Sequence, residues 1–398
     1  MKQSSSGPGG EAVYLDPGEQ QILKGEFGET RQKMMEILVA LGKVFEAGRL
    51  VDIRSAQVSG ASYKTIGKYG LDWLRSLDAR AVVPAVLNPI GMDRDRWREM
   101  GITPEFSEKQ QEVIAAYARL GIRLECTCTP YEIAITRYGE HLAWSESSAV
   151  SYANSVIGAR TNREGGPGAL AAAIIGKTPC YGLHLLRNRQ PQVVIDLPPG
   201  YPFDMARYGA MGYLAGKIAG NRIPLFRGIR PAADELKAIG AAMAATGAVA
   251  LFHVEGITPE SRIFSFSPDG LEKASIEGTE IDRLFTGIAV EAVAIGCPHC
   301  SPRELERISV LLAGKKVTKP LYVFTSRTVR GQCPALVAVI EQSGARVYAD
   351  TCMVVSPAME QFRAIMVNSG KALAYVPDMC GAMVRIGTTE ECVAEATA

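Results

Sequence analysis

Two cysteines and a histidine lie within four positions of one another in the stretch GCPHC, residues 296–300. Thiols and an imidazole at this spacing could form half of a zinc site or a redox-active dithiol, or could supply one ligand of an iron–sulfur cluster. A zinc ribbon needs a second pair of ligands, and the chain has no second CxxC. A redox pair usually lies at a helix start, and the sequence SPRE at 301–304 predicts a helix directly behind Cys300.

Three separated stretches offer the ligands for an iron–sulfur cluster: Cys128 in CTCTPY, Cys297 in GCPH and Cys352 in DTCMV. Thiolates are the usual ligands of such clusters. Three of them would leave one iron free to bind a substrate oxygen as a Lewis acid. The competing interpretation is that buried cysteines are simply small apolar residues. The residues alone leave both interpretations open.

Several Gly- and Ser-containing loops could bind anions. In NSGK, 368–371, Ser369 and a backbone amide could bind a carboxylate or phosphate, with Lys371 adding charge. SGASYK, 59–64, presents Gly60, Ala61 and Ser62 in the same style. An ordinary polar turn is the alternative for each loop.

Three further polar side chains are candidates for substrate contacts. Asn88 follows an apolar run and could donate a hydrogen bond, or could serve a turn. Asn154 and Arg160 lie in a stretch that runs into a Gly-rich turn and a helix start, where an anion could bind. A solvated surface loop is the alternative for that stretch.

The elements that must position these residues follow an α/β pattern. Apolar residues at helical spacing alternate with short apolar runs typical of buried strands, which predicts several α/β lobes with mainly parallel sheets. The unusual polar stretches fall just after predicted strands, where open α/β sheets bind ligands. Predicted helices cover 29–48, 107–121 and 334–344, and predicted strands cover 50–58, 81–89, 122–131, 289–296, 321–327 and 345–355.

Composition narrows the class of protein. The 398 residues are 47% hydrophobic and carry a net charge of +1, which disfavours a nucleic-acid or membrane-surface protein. Residues 1–10 lack an apolar core and are predicted to be a flexible tail rather than a secretory signal. The apolar stretch 238–252 is short and contains Gly247, which predicts a helix and a buried strand instead of a membrane span. Nine cysteines, an odd number, favour a reducing cytoplasm over a disulfide framework.

The ordered set of motifs resembles the aconitase X family. It comprises SAQVSGASYKTIG, LNPIGMD, CTCTPY, NSVIGARTNREGGP, GKTPCYGLH, FHVEGITPE, GCPH, DTCMVV and NSGKALAY. The likeness covers residues 11–398 as one catalytic region with unassigned internal boundaries. It implies an aconitase-like fold of several α/β lobes around an iron–sulfur cleft, and a hydro-lyase that dehydrates a small hydroxy acid.

The family resemblance also implies a substrate and a partner. In the archaeal form a swivelling domain is a separate small subunit, and (R)-5-phosphomevalonate becomes trans-anhydromevalonate 5-phosphate, an isoprenoid precursor. In the fused bacterial form the substrate is cis-3-hydroxy-L-proline. Because the chain leaves no room for a swivelling domain, we expect the large subunit of a heterodimeric phosphomevalonate dehydratase. The cis-3-hydroxy-L-proline enzyme, a CxxC redox protein and a zinc-stabilised binding module are the alternatives.

The resemblance assigns roles to residues of this chain. Cys128, Cys297 and Cys352 would hold a 4Fe-4S cluster, or a 3Fe-4S cluster after loss of one iron in air. Cys300 lies outside the family pattern. The catalytic base would be a serine of the small subunit.

Overall fold

The structure is a computed structural model that describes residues 13–133, 136–263, 270–285 and 287–398. The predicted tail, residues 1–10, lies outside these ranges. Within them, strands and helices alternate, and every strand pairing in the three larger sheets is parallel. The predicted α/β class is therefore confirmed.

The first part of the chain, residues 13–187, builds a parallel sheet of order β4-β3-β2-β5 and a two-stranded antiparallel ribbon, β1-β6. Its apolar core lies between the sheet and the long helices α2, α4 and α6. The elements are α1 Pro17–Leu23, α2 Glu29–Val44, β1 Leu50–Asp52, β2 Ala56–Val58, α3 Tyr63–Ser76, β3 Ala85–Leu87, α4 Pro104–Arg119, β4 Arg123–Cys126, β5 Ala143–Trp144, α5 Ser147–Tyr152, α6 Gly166–Ile175 and β6 Lys177–Pro179, with short 3-10 turns at Pro130–Glu132, Gly182–His184 and Leu186–Asn188 and a π turn at Ala153–Ile157.

The second part builds a parallel sheet of order β10-β7-β8-β9. Helices α7 and α8 pack closely because small residues face each other: a Cβ on Gly212 would lie 2.6 Å from the carbonyl oxygen of Ile239. The elements are β7 Val193–Asp196, α7 Met205–Ala219, β8 Pro224–Phe226, α8 Ala233–Gly247, β9 His253–Val254, α9 Pro259–Ile263, β10 Glu272–Ser275 and α10 Gly278–Asp282.

The third part builds a parallel sheet of order β13-β12-β11-β14-β15. The predicted capping box is present at the start of its first helix, since Ser301 and Glu304 each accept the other's backbone N–H. The elements are β11 Ala292–Cys300, α11 Pro302–Leu312, β12 Leu321–Thr325, α12 Arg327–Gln332, α13 Pro334–Gln342, β13 Arg346–Tyr348, β14 Ala364–Val367, α14 Gly370–Cys380, β15 Met383–Ile386 and α15 Thr389–Thr397, with a 3-10 turn at Pro357–Gln361.

Two predicted strands differ in the structure. The run 50–58 forms two strands in different sheets, because β1 pairs with β6 and β2 pairs with β3 and β5. The strand predicted to end at Gly296 continues to Cys300, with a register shift against β12 between Ile295 and Cys300. The CPHC stretch therefore lies within an irregular strand and not in a loop after it.

The parallel sheets of the first and third parts are joined by a backbone bridge and by a buried carboxylate beside it. Ile90, just after β3, forms a parallel bridge with Thr351, just after β13. Asp350 is fully buried beside this bridge and accepts hydrogen bonds from Arg94 and Arg327. Among the described residues, no helix is long and apolar enough to cross a membrane.

Candidate functional site

A cavity of about 360 Å³ lies between the first and third sheets, at the carboxyl ends of their strands. Its walls come from the loops that follow β2, β3, β4, β5 and β13, from the loop before α6, from β11 and from α14. Ligands bind at this edge of open α/β sheets, so its position suits a functional site. The polar or sulfur-containing lining residues other than methionine are Ser59, Asn88, Cys128, Ser145, Glu146, Ser147, Arg163, Glu164, Cys297, Cys352, Lys371 and Tyr375.

Three of the lining residues are cysteines from separate parts of the chain. Cys128, Cys297 and Cys352 are 3%, 3% and 7% exposed. Burial raises the pKa of all three thiols, that of Cys128 to about 12. Proximity among the thiols raises the pKa of Cys297 further. Thiolates are the ligands that zinc, copper(I) and iron–sulfur clusters prefer, so these residues could hold such a group after losing their protons.

A buried lysine supplies positive charge beside the thiols. The Nζ of Lys371 lies 2.5 Å from the Glu146 Oε1 and 3.0 Å from the Ser148 Oγ. Burial opposes its charge, but Glu146 and the nearby thiols hold the pKa of Lys371 above its ordinary value. Burial likewise opposes ionisation of Glu146, yet Lys371 keeps the pKa of that carboxyl below its ordinary value. The pair is therefore ionic.

A second carboxyl lines the cavity without a cationic hydrogen-bond partner. Glu164 is 6% exposed, and its Oε1 accepts a hydrogen bond of 3.3 Å from the Thr178 hydroxyl. Burial raises the pKa of Glu164 to about 7. Such a group exchanges a proton near neutral pH, which is the range useful to an acid or base.

Two of the predicted substrate-binding side chains line the cavity directly. Lys371 is one, and Asn88 is the other, with its Nδ2 donating to the Glu146 Oε2 at 2.8 Å. Ser369 lies just behind the cavity wall: its hydroxyl caps α14 and donates to the carbonyl oxygen of Cys297. Ser369 and Lys371 also line a small adjoining cavity of about 20 Å³.

The loop at 59–62 touches the cavity through Ser59 rather than through the predicted residues. Gly60, Ala61 and Ser62 follow that serine and lead into α3. Ala61 is buried, and its carbonyl oxygen accepts from the Gln110 side chain. The backbone of this loop is therefore adjacent to the cavity without forming its wall.

Asn154 and Arg160 lie outside the cavity lining. The Asn154 Oδ1 accepts from the buried guanidinium of Arg189, and its Nδ2 donates to the carbonyl oxygens of Thr161 and Ala250. Arg160 forms a backbone bridge with His141. The bond from Asn154 to Ala250 joins the first and second parts of the chain, whereas the Arg160 bridge lies within the first part.

The CxxC pair does not form one site. Both cysteines are free thiols. Cys297 packs with the core that faces the cavity, whereas Cys300 packs with a different core that includes Leu305 and Val323. Because the two side chains belong to separate cores, the geometry does not support a redox dithiol.

Sequence models of the first, second and third domains of aconitase X match residues 12–187, 191–286 and 290–398. The chain belongs to the aconitase X family. It is 53% identical to the phosphomevalonate dehydratase large subunit of Methanosarcina mazei over 390 residues, which are 97% of each chain. A crystal structure of aconitase X from Thermococcus kodakaraensis, in its holo-form, superposes with a TM-score of 0.90 at 43% identity, covering 96% of this chain and 100% of the other.

A more distant relative has a different printed substrate. The cis-3-hydroxy-L-proline dehydratase of Pseudomonas aeruginosa is 35% identical over 403 residues, which are 95% of this chain and 69% of that protein. The relatives of this chain thus include enzymes named for two different substrates.

Sequence reasoning missed several lining residues of this aconitase X chain. Glu146 and its neighbouring serines follow β5, which is only two residues long. So short a strand has no recognisable sequence pattern, and the residues after it could not be predicted to lie at a strand end. The signal available was the polar run SESS directly after Ala143 and Trp144. Arg163 and Glu164 lie in the same stretch as Asn154, whose side chain is a predicted substrate contact. Only the fold shows which residues of that stretch face the cavity.

Proposed function

We propose that this chain is the large subunit of a phosphomevalonate dehydratase, a hydro-lyase that converts (R)-5-phosphomevalonate to trans-anhydromevalonate 5-phosphate for isoprenoid precursors. The observation that carries the proposal is the 53% identity to a protein of that name across 97% of both chains. The cis-3-hydroxy-L-proline enzyme is the second candidate, at 35% identity and over only 69% of the relative's length. A separate small subunit carrying the swivelling domain would complete the enzyme.

We propose that Cys128, Cys297 and Cys352 hold an iron–sulfur cluster, expected to be 4Fe-4S. Among the described residues, no three His, Cys, Asp or Glu side chains are close enough to bind a single metal ion. A cluster of several irons is wider than one ion, so its thiolates need not converge on a point. Three buried thiols around one cavity, with Lys371 to offset negative charge, fit such a group. When bound, it supplies an iron with an open position that acts as a Lewis acid toward the departing hydroxyl.

The chain's own residues would bind the substrate anions. Lys371 and Arg163 bring positive charge to the cavity, and phosphate and carboxylate both favour such groups. Asn88 lines the cavity and could donate the second N–H of its amide, since the first is donated to Glu146. The amides of the 60–62 loop would act from just behind the wall. The Ser369 hydroxyl could donate to the substrate only by giving up its bond to the Cys297 carbonyl.

We propose that the base which removes the proton alpha to the carboxylate is a serine of the small subunit. Charge then develops on the carboxylate, and Lys371 would stabilise it. If this is right, the large subunit alone binds substrate but turns it over poorly. An assay with and without the small subunit tests this, and full activity of the isolated chain would contradict it.

The decisive experiment is an anaerobic assay of the two-subunit complex with both substrates side by side. We expect dehydration of phosphomevalonate and little or none of cis-3-hydroxy-L-proline. The reverse preference would establish the second candidate. Cys352→Ser is the companion variant: iron and sulfide content should fall, and unchanged content would remove Cys352 from the ligand set.

A further inference from the structure

One buried histidine contacts the chain segments that carry two of the cavity thiols, and it lies on the strand that carries the third. His299 lies two residues beyond Cys297 on β11 and is 0% exposed. It does not line the cavity itself. Its neighbours in space are the Cys128 loop of the first domain and the Cys352 loop of the third.

Three hydrogen bonds make these connections. The backbone N–H of His299 donates to the Cys128 sulfur at 3.2 Å. The ring Nε2 lies 2.8 Å from the carbonyl oxygen of Thr351, and the ring Nδ1 lies 3.0 Å from the Thr127 hydroxyl. Thr127 and Thr351 are the residues immediately before Cys128 and Cys352. One side chain therefore links the loops of two thiols while its backbone lies on the strand of the third.

The partners fix the roles of the ring nitrogens. A carbonyl oxygen can only accept, so Nε2 carries the proton and donates to Thr351. In the neutral ring Nδ1 then accepts from the Thr127 hydroxyl. That hydroxyl oxygen in turn accepts the backbone N–H of Thr129 at 3.0 Å. The chain of bonds has one consistent direction, and it orders the CTCT loop on both sides of Cys128.

We propose that His299 is a positioning residue that fixes the relative placement of the three thiols and holds an N–H donor against the Cys128 sulfur. The inference rests on the proposed function only in taking these thiols as the ligands of a cluster. Groups around the ligands orient them and tune the bound metal, and hydrogen bonds to sulfur help to set the reduction potential of a cluster. An ordinary core histidine would stabilise the fold without affecting either property.

The first test needs no cofactor. Iodoacetamide alkylation of Cys128 in the apo-protein, followed by mass spectrometry, reports how firmly its loop is held. For His299→Leu we expect about tenfold faster alkylation, from the loss of roughly two buried hydrogen bonds. His299→Gln should return the rate toward that of the wild type, because its amide can donate to the Thr351 carbonyl. His253→Leu is the matched control, since that buried histidine contacts the Arg189 carbonyl instead.

The second test uses protein reconstituted anaerobically with ferrous iron and sulfide. We expect His299→Leu to retain iron about 10- to 100-fold less tightly, and any cluster it holds to have a shifted reduction potential. His253→Leu should keep the wild-type potential. The proposal would be overturned if the Cys128 alkylation rate and the reduction potential of His299→Leu matched those of the wild type. It would also be overturned if both quantities changed equally in His299→Leu and His253→Leu.

Two further outcomes are separable. Should the wild type take up no iron, the proposed cofactor fails, while the alkylation test still decides the role of His299. Should His299→Leu not fold, Thr127→Val undergoes the same measurements, since it removes the Nδ1-side contact together with the bonds between the Thr127 hydroxyl and Thr129. A wild-type alkylation rate at Cys128 in that variant would also count against the proposal.

Discussion

Replacing Lys371 by methionine tests the electrostatics of the cavity. The substitution keeps an unbranched side chain that is one atom shorter, and it leaves the Glu146 carboxylate buried without its cation. Removing one partner of a buried ion pair costs about 3–5 kcal/mol. Here the carboxylate keeps hydrogen bonds from Asn88 at 2.8 Å and from the Ser148 hydroxyl at 3.2 Å. We therefore expect the lower end, about 3 kcal/mol.

The pH dependence of this cost follows from the direction of the Glu146 shift. In the wild type Lys371 keeps the pKa of Glu146 low, so the stabilisation is present above the unfolded carboxyl pKa and is lost as the pH falls through the folded one. In Lys371→Met only the hydrogen bonds from Ser148 and Asn88 oppose the effect of burial, so the pKa of Glu146 rises and the carboxyl takes up a proton more readily. The difference in unfolding free energy between the two proteins should thus be larger at pH 8 than at pH 5.

Urea denaturation of the apo-proteins at both pH values, followed by circular dichroism, measures this difference. The double variant Lys371→Met with Glu146→Gln removes both charges, and it should recover about 2 kcal/mol of the loss. Lys237→Met is a matched control, because Lys237 forms another buried ion pair, with Glu304, away from the main cavity. A cost below about 1 kcal/mol at pH 8, or no recovery in the double variant, would refute a buried ionic pair.

Four other substitutions give expected outcomes. Glu164→Gln should stabilise the apo-protein by about 3 kcal/mol at pH 8 and by nothing at pH 4, as measured by urea denaturation. The reason is that burial raises the pKa of Glu164 to about 7, so its ionised form is disfavoured only in the folded protein. Cys300→Ala should leave the iron content of reconstituted protein unchanged, whereas Cys297→Ala should lower it. Gly296→Ala should lower the unfolding free energy by about 2 kcal/mol or more, since φ is +105° and a Cβ would lie 2.2 Å from the Phe324 carbonyl oxygen.

Local signals predicted much of the fold. The capping box at 301–304 and the apolar spacing of the long helices depend on residues close in sequence, and the corresponding helices are present. Strand partners depend on distant residues instead. Nothing within 50–58 indicates that its first half pairs antiparallel with β6 while its second half joins a parallel sheet.

The candidate site is also only partly predictable, because local sequence marks the strand ends but not the long-range contacts of each side chain. The sequence predicts that polar residues after strands face a cleft, and Asn88 and the three cysteines line one cavity. The polar surroundings of Asn154 in the sequence predict a substrate contact, but its Oδ1 accepts from Arg189, 35 residues further along the chain. A side chain that serves a long-range structural bond looks identical in sequence to one that serves a ligand.

Placement of the thiols depends on how the first and third domains dock. Cys128 belongs to one domain, and Cys297 and Cys352 belong to the other. The docked arrangement is held by the Ile90–Thr351 bridge and by the buried Asp350, whose pKa is kept low, against the effect of burial, by two arginines. A cluster bound by all three thiols can bind only the docked arrangement, so loading and docking must stabilise each other by the same free energy. If the three thiols hold the proposed cluster, the Asp350 contacts would therefore contribute to its retention by stabilising the docked arrangement.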